Sequence, residues 1–253
     1  MAAEGPGHDS RLPASMTIAV IIPVLNEARC LHRTLSHTEA LGFDELMIVD
    51  GGSSDDTCAL ARSFADRIGI SLSATTGSMR FLTAPRGRAR QLNVGAAASW
   101  CDVLLFLHAD TRLPSNARQA ILAALADAAC VGGRFDVCFD STRVSARIIG
   151  NLMNLRSRWS GIATGDQAIF VRRAVFERMG GFADIPLMED IEFTRRLKRT
   201  GPVASLSDQV VTAFRRWEQQ GPLRTILLMW TLRFLYWIGV SPHRLQHFYR
   251  TVR

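Results

Sequence analysis

Residues 17–27 read TIAVIIPVLNE, an apolar run that is continuous rather than alternating and that ends in asparagine and glutamate. An alternating run marks a strand wetted on one face, whereas a continuous one marks a strand buried on both, the habit of parallel sheets covered by helices. Two further runs share the pattern, ELMIVD at 45–50 and DVLLFLHAD at 102–110. Helical stretches at 28–41, 56–67 and 88–98 separate them. The order predicts an α/β fold with a doubly wound, mostly parallel sheet and flanking helices. Ligands of such sheets bind beyond the carboxyl ends of the strands. Each run passes into polar residues at that end: Asn26 and Glu27, then Asp50 to Asp56, then His108 to Thr111.

Further along, a helix is expected from Pro114 to about Ala129, then a strand over VGGRFDVCF (131–139). Val144, Ile148, Ile149, Leu152, Leu155 and Trp159 recur at helical spacing and predict a helix whose apolar stripe packs inward. GDQAIFVRRAVFERMGGF (165–182) reads as strand, helix and a stop at Gly180 and Gly181. With no internal repeat or low-complexity linker, one domain is expected over 16–220. A flexible tail (1–15) precedes it and a helical tail (221–253) follows.

A length of 253 residues suits a single domain with appended elements. Hydrophobic residues at 47% and charged ones at 21% describe an ordinary globular chain and exclude disorder. The net charge of +7 comes from arginine, Lys198 being the only lysine. Its clusters, RGRAR (86–90) and TRRLKR (194–199), lack the interleaved aromatics of RNA binders, so nucleic acid is not an expected partner. Cys30, Cys58, Cys101, Cys130 and Cys138 are odd in number, scattered and without a C-x-x-C pair. That excludes a disulfide framework and a zinc site and suits reduced thiols in a cytosolic core. Residues 1–15 lack the apolar core of a signal peptide, so the expected compartment is the cytoplasm.

In the loop DGGSSDDT (50–57), Gly51 and Gly52 permit tight turns and Asp56 or Thr57 can cap a helix. Its acidic side chains argue against cradling phosphate, and Asp50 suits a hydrogen bond to a base or ribose. No G-x-G-x-x-G follows the first strand and no G-x-x-x-x-G-K-[ST] occurs, which removes dinucleotide oxidoreductases and P-loop nucleotidases. Carboxylates near a nucleotide imply a divalent cation bridging to its diphosphate, with Mg²⁺ or Mn²⁺ the hard choices.

The segments IPVLNE, VDGGSSDDT, RGRARQLNVGA, LHADT, GDQAIF and MEDIEFTRRL, in this order, resemble the family 2 glycosyltransferases of GT-A fold over roughly Thr17 to Trp217. The LHADT form resembles a small, single-domain bacterial branch. The resemblance implies a nucleotide-sugar donor, usually a UDP-sugar, held by the first half of the sheet, and an acceptor held by the second. On this basis Pro23, Asn26 and Glu27 match a nucleotide-contacting loop, and Asp50 the uridine-binding aspartate. Arg86, Arg88 and Asn93 match the segment approaching base and phosphates. Asp110 matches the metal-binding second aspartate of the D-x-D motif. His108 replaces the other aspartate and is read as a nucleotide contact. Asp190 matches the catalytic base of an inverting displacement. Glu189 and Asp190 also suit a helix start, where the dipole favours acids.

Arg216 and Trp217 are similar to the R-W pair of processive members. Ala213 stands where the glutamine of Q-x-x-R-W belongs, so a polymerase is not expected. Two other readings compete: a catalytically weak nucleotide-sugar-binding protein at a membrane, and a nucleotidyltransferase. The latter would want a glycine-rich loop where this chain has PVLNEAR.

The tail GPLRTILLMWTLRFLYWIGV (221–240) has the length of a bilayer span of about 30 Å, but Arg224 and Arg233 interrupt it. Trp230, Tyr236 and Trp237 with nearby arginines suit a helix lying in the membrane interface, and a helix packed on the protein itself is the equal alternative. Contact with the inner membrane face would make a lipid- or isoprenoid-linked acceptor the expected class. His243 and His247 lie one helical turn apart, and GT-A enzymes often recruit a C-terminal histidine to the donor's cation. The polar stretch ISLSATTGSM (70–79) reads as an exposed hairpin or loop beside the donor site.

Overall fold

The structure, a computed structural model, describes residues 16–69 and 78–252, the side chains of 216, 220 and 250–252 excepted. The tail expected at 1–15 and most of the loop expected at 70–79 lie outside the described residues.

Strand β1 (Ile18–Val24) pairs in parallel with β2 (Glu45–Asp50) on one side and β4 (Val103–Phe106) on the other, and β3 (Met79–Thr83) extends the sheet beyond β2. The run in β1 is continuously apolar because the sheet is covered twice. Ile18, Val20 and Ile22 join one core with Leu31, Leu35 and Phe64. Ala19 and Ile21 join another with Ala89, Leu92 and Phe193. Helices α1 (Ala28–Glu39) and α2 (Thr57–Arg67) supply the first cover and α3 (Arg88–Ala98) the second.

The eight-stranded sheet has the order β3-β2-β1-β4-β7-β6-β8-β5. Beyond β4 it becomes mixed. Strand β7 (Phe170–Arg172) runs antiparallel to β4, and β6 (Gly132–Phe139) antiparallel to β7. Strand β8 (Val203–Thr212) is parallel to β6 and antiparallel to the short β5 (Thr111–Arg112). The third apolar run therefore leaves the sheet at Phe106, four residues before Asp110, and the helix expected to reach Ala129 is the shorter α4 (Ala117–Ala124). Helix α6 (Arg173–Arg178) ends as expected at Gly180 and Gly181, whose φ angles of 75° and 71° suit glycine.

Helix α5 (Val144–Ser160) has the expected bounds and the opposite orientation. Ala146, Ile149, Asn154 and Ser157 are buried, while Val144, Ile148, Leu152, Leu155 and Trp159 face outward. The reason lies in β6. Strand β7 pairs only with Gly132 and Gly133, so Val137 has no strand neighbour on that side. The Asn154 amide takes its place, accepting from Val137 N–H at 2.8 Å and donating to Val137 C=O at 2.9 Å. The inward face thus satisfies two buried backbone groups that the apolar stripe could not.

Among the described residues the remaining helices are α7 (Glu189–Leu197), α8 (Arg215–Gln220), α9 (Pro222–Trp237) and α10 (Pro242–Val252). Among the described residues, no helix is long and apolar enough to cross a membrane.

Two residues of α3 hold the strand ends in place. Gly95 lies so close to the sheet that a Cβ there would sit 2.5 Å from Ile21. Gln91, buried, donates through Nε2 to Val24 C=O and Val49 C=O, both at 2.8 Å, clamping the ends of β1 and β2 together. Gln91→Leu removes both of these buried hydrogen bonds at a cost of about 2 kcal/mol, although Val24 C=O keeps its bond from Gly51 N–H. The expected outcome is a thermal midpoint roughly 5 °C lower with unchanged far-UV circular dichroism. An unchanged midpoint would show that the clamp contributes nothing.

Candidate active site

Beyond the carboxyl ends of β1 and β4 the chain encloses a cavity of about 780 Å³, closed on its far side by Asp184 to Pro186, Arg215, Trp217 and α10. That volume suits a ligand of nucleotide-sugar size. Of the residues singled out from sequence, Pro23, Glu27, Arg86, Arg88, His108, Asp110 and Trp217 line it.

Four others have different places. Asn26, at φ 57°, uses its side-chain oxygen to accept from Ser54 N–H at 2.8 Å, binding the first loop to the second. Asp50 is buried, and its carboxylate accepts from the Gly52 and Ser53 N–H groups, so it builds the turn. Asn93 pins Phe182 through both backbone groups, at 2.8 and 2.9 Å. Asp190 lies behind the main cavity, in a small hollow that shares Arg88 and His108 with it. The side chain of Arg216 is outside the described residues.

Arg88 and His108 form the wall between the two spaces. The Arg88 guanidinium donates through Nε to Glu189 Oε1 and approaches Asp190 Oδ2 at 3.9 Å. Its Nη1 lies 3.1 Å from His108 Nε2. An arginine can only donate, so Nε2 accepts and the imidazole proton sits on Nδ1, facing Asp166 Oδ1 at 3.1 Å. Gly165 makes room for this arrangement, because a Cβ there would lie 2.3 Å from His108 Nε2.

The Asp190 carboxylate accepts from Gly165 N–H at 2.8 Å and from Ile191 N–H at 2.7 Å. Its pKa is raised above the ordinary carboxylate range, chiefly by burial and then by the neighbouring charge of Glu189, against the pull of Arg88. Met188, which opens α7, has a φ of 69°. Among the described residues, the positive-φ residues other than glycine, Asn26, Ala168 and Met188, all lie within three residues of a cavity-lining group. Such backbone persists only where its surroundings hold it.

Asp110 differs from the other acids. Its hydrogen bond among the described residues is a long one, 3.4 Å from Thr111 Oγ1, so its carboxylate is available to the cavity. His243 lines the same space. Among the described residues no group of three metal-ligating side chains occurs. Cys30, near Glu27, is no nucleophile, since burial and then its hydrogen bond to Glu27 push its pKa up to about 12.

Sequence reasoning missed Arg215, Gln219 and Gln246 in the lining, and the structural parts of Gly165 and Asp166. Arg215 adjoins the noted pair, so the FRRW segment carried a signal one residue early. It also missed Arg156 of α5, whose Nε and Nη2 are buried without hydrogen-bond partners.

A parallel α/β half joined to a mixed half, with the cavity at the strand ends, defines a GT-A type of fold. The family model described as glycosyl transferase family 2 matches residues 19–183, and the chain belongs to that family. A probable glycosyltransferase, YdaM, of Bacillus subtilis is 27% identical over 220 residues, which are 80% of this chain and 50% of YdaM. The chain thus spans half the length of that relative. Among solved structures, the mannosyltransferase PcManGT from Pyrobaculum calidifontis in complex with GDP-Man and Mn²⁺ matches with a TM-score of 0.59 and 22% identity, over 79% of this chain and 57% of that one. Residues 1–349 of S. aureus TarS in complex with UDP-GlcNAc match with a TM-score of 0.60 and 15% identity, over 78% and 58% respectively.

The dependence of His108 on Gly165 is measurable without a substrate. Nitrogen-15 NMR of the wild-type protein is expected to show the Nδ1–H tautomer at His108, and Gly165→Ala is expected to abolish that signature. Its retention would show that the ring is not held by this contact.

Proposed function

We propose that this chain is an inverting glycosyltransferase that moves a hexosyl unit from a nucleotide sugar, a UDP-sugar in the first instance, to an acceptor hydroxyl. The observation that carries the proposal is the division of the site. An available carboxylate, Asp110, faces a cavity of nucleotide-sugar size, and a base with raised proton affinity, Asp190, lies behind the Arg88–His108 wall. Family membership supports the reaction class. The solved neighbours carry both GDP-Man and UDP-GlcNAc, so the choice of UDP rests on the sequence resemblance.

Asp190 would take the proton of the acceptor hydroxyl as its oxygen attacks the anomeric carbon, while the bond from that carbon to the diphosphate breaks on the opposite face. Raised proton affinity makes the carboxylate a stronger base for this step. Arg86, Arg88 and Arg215, which line the cavity, supply positive charge for the diphosphate, and the Trp217 ring, stacked on Phe214 at an interplanar angle of 8°, gives the acceptor side an aromatic wall. Asp110 and His243, which both line the cavity, would be the protein ligands of a divalent cation. When bound, Mg²⁺ or Mn²⁺ would offset charge on the leaving diphosphate. The acceptor is proposed to be lipid- or isoprenoid-linked and met at a membrane surface by α9, which exposes Trp230 and Trp237.

Asp190→Asn is expected to lower kcat by about 10² to 10⁴ while nucleotide binding by calorimetry stays within about threefold. A fully active variant would remove Asp190 from the mechanism. The base works only when deprotonated, so activity falls as pH drops through its raised pKa. The acid limb of the kcat profile should therefore lie above the ordinary aspartate value of about 4. A limb at that ordinary value would argue for another base. Asp110→Ala should abolish turnover that depends on added Mn²⁺, whereas His108→Asp should keep it, and the reverse pattern would overturn the assignment.

A further inference from the structure

The outward face of α5 was not foreseen from sequence, and no residue described here covers it. Val144, Ile148, Leu152, Leu155 and Trp159 fall within an arc of roughly 80° on the helix, opposite the buried face. Trp159 is 91% exposed. A second stripe runs along α9, where Leu223, Leu227, Trp230, Phe234 and Trp237 recur every three or four residues. Trp230 is 72% exposed and Trp237 76%. On their inner sides, Ala146 and Ile149 of α5 and Ile226 of α9 join one small apolar cluster with Phe214, the residue before α8. Each stripe is a run of large apolar side chains exposed on one helix face, and exposed apolar surface of this kind marks a site of interaction.

Charge decides what the surface fits. Helix α5 contains no acidic residue, and none occurs from Gln219 to Arg253. Arg147, Arg224 and Arg244 are exposed and form no ion pair among the described residues. On α9, Arg224 and Arg233 flank the stripe on opposite sides. Two copies of such a face would bring cations against cations, whereas apolar side chains flanked by arginines match an anionic lipid surface.

We infer that the exposed stripes of α5 and α9 together form a docking face for an anionic bilayer surface, with α5 a second point of attachment besides the C-terminal tail. Docking orients the site as well. The inner side of α9 packs Leu232 on Met188, the residue before Glu189 and Asp190, and on Leu245 of α10. A bilayer beneath α9 thus lies beside the catalytic end of α7. The consequence for a lipid-linked acceptor rests on the proposed reaction, and docking itself is measured without catalysis.

Flotation of the full chain with phosphatidylcholine vesicles, with and without phosphatidylglycerol, tests the inference. The wild-type protein should float with the anionic vesicles and less with the neutral ones. Leu152→Ser/Leu155→Ser/Trp159→Ser on α5 should weaken binding at least tenfold. Leu227→Ser/Trp230→Ser/Phe234→Ser on α9 should do likewise. Brominated lipid should quench fluorescence that disappears with Trp159. All replaced side chains are exposed, so both variants should keep the wild-type thermal midpoint. An α5 variant that floats like the wild type would overturn the inference. So would a wild-type protein that ignores vesicles and self-associates by light scattering until the α5 stripe is replaced. Nucleotide-sugar hydrolysis without vesicles should be unchanged in the α5 variant. Its absence from the wild type would count against the proposed reaction and leave the flotation result intact.

Discussion

The guanidinium of Arg88 meets two adjacent carboxylates, Glu189 and Asp190, across 101 and 102 residues of chain. Two neighbouring acids at the start of one helix repel each other, and a buried pair without a cation would have to give up charge. Arg88 counters that repulsion by joining α3, which covers the parallel half of the sheet, to α7. Its third contact, to His108, fixes the tautomer of a ring that Asp166 holds from behind. Its side chain remains 39% exposed, so the same cation that stabilises the buried acids is open to a ligand in the cavity. One residue therefore joins two buried acids to the cavity wall.

Around that contact the sheet gives the site its shape. Parallel strands bring three loops to one edge, and the Gln91 clamp sets how far the first two stand apart. Asp50 and Asn26 spend their hydrogen-bonding groups on the loops themselves and Asn93 spends its own on Phe182. The cavity is lined by arginines, by His108 and His243, and by acids of which Asp110 has the most weakly engaged carboxylate. A loop that satisfies its own backbone is stiff, and stiffness of this sort positions groups for charge that develops in a reaction.

Periodicity was an accurate guide wherever both faces of an element were covered. The continuous runs of β1 and β2 and the glycine stop after α6 all stand where the pattern put them. It failed at α5, because the spacing of Ile148, Leu152 and Leu155 defines a face without saying which way the face points. The inward face carries a polar group that periodicity does not count: Asn154, which satisfies both backbone groups of Val137. The same limit applied to the site. Pattern located Asp110 and His108, but it could not show that the Asp50 carboxylate also accepts from the backbone of its own turn.

By itself the sequence determined the parallel half of the sheet, the loops at its carboxyl edge, and the order of motifs that marks the family, because these depend on local hydrophobic pattern and residue identity. Only the tertiary structure decided that Arg88 unites the carboxylates of α7 with His108, that Gly165 must lack a side chain, and that α5 presents its apolar stripe to the outside. Each of these depends on groups distant in sequence meeting in space, where hydrogen-bond satisfaction and charge pairing are settled by neighbours that no local pattern names.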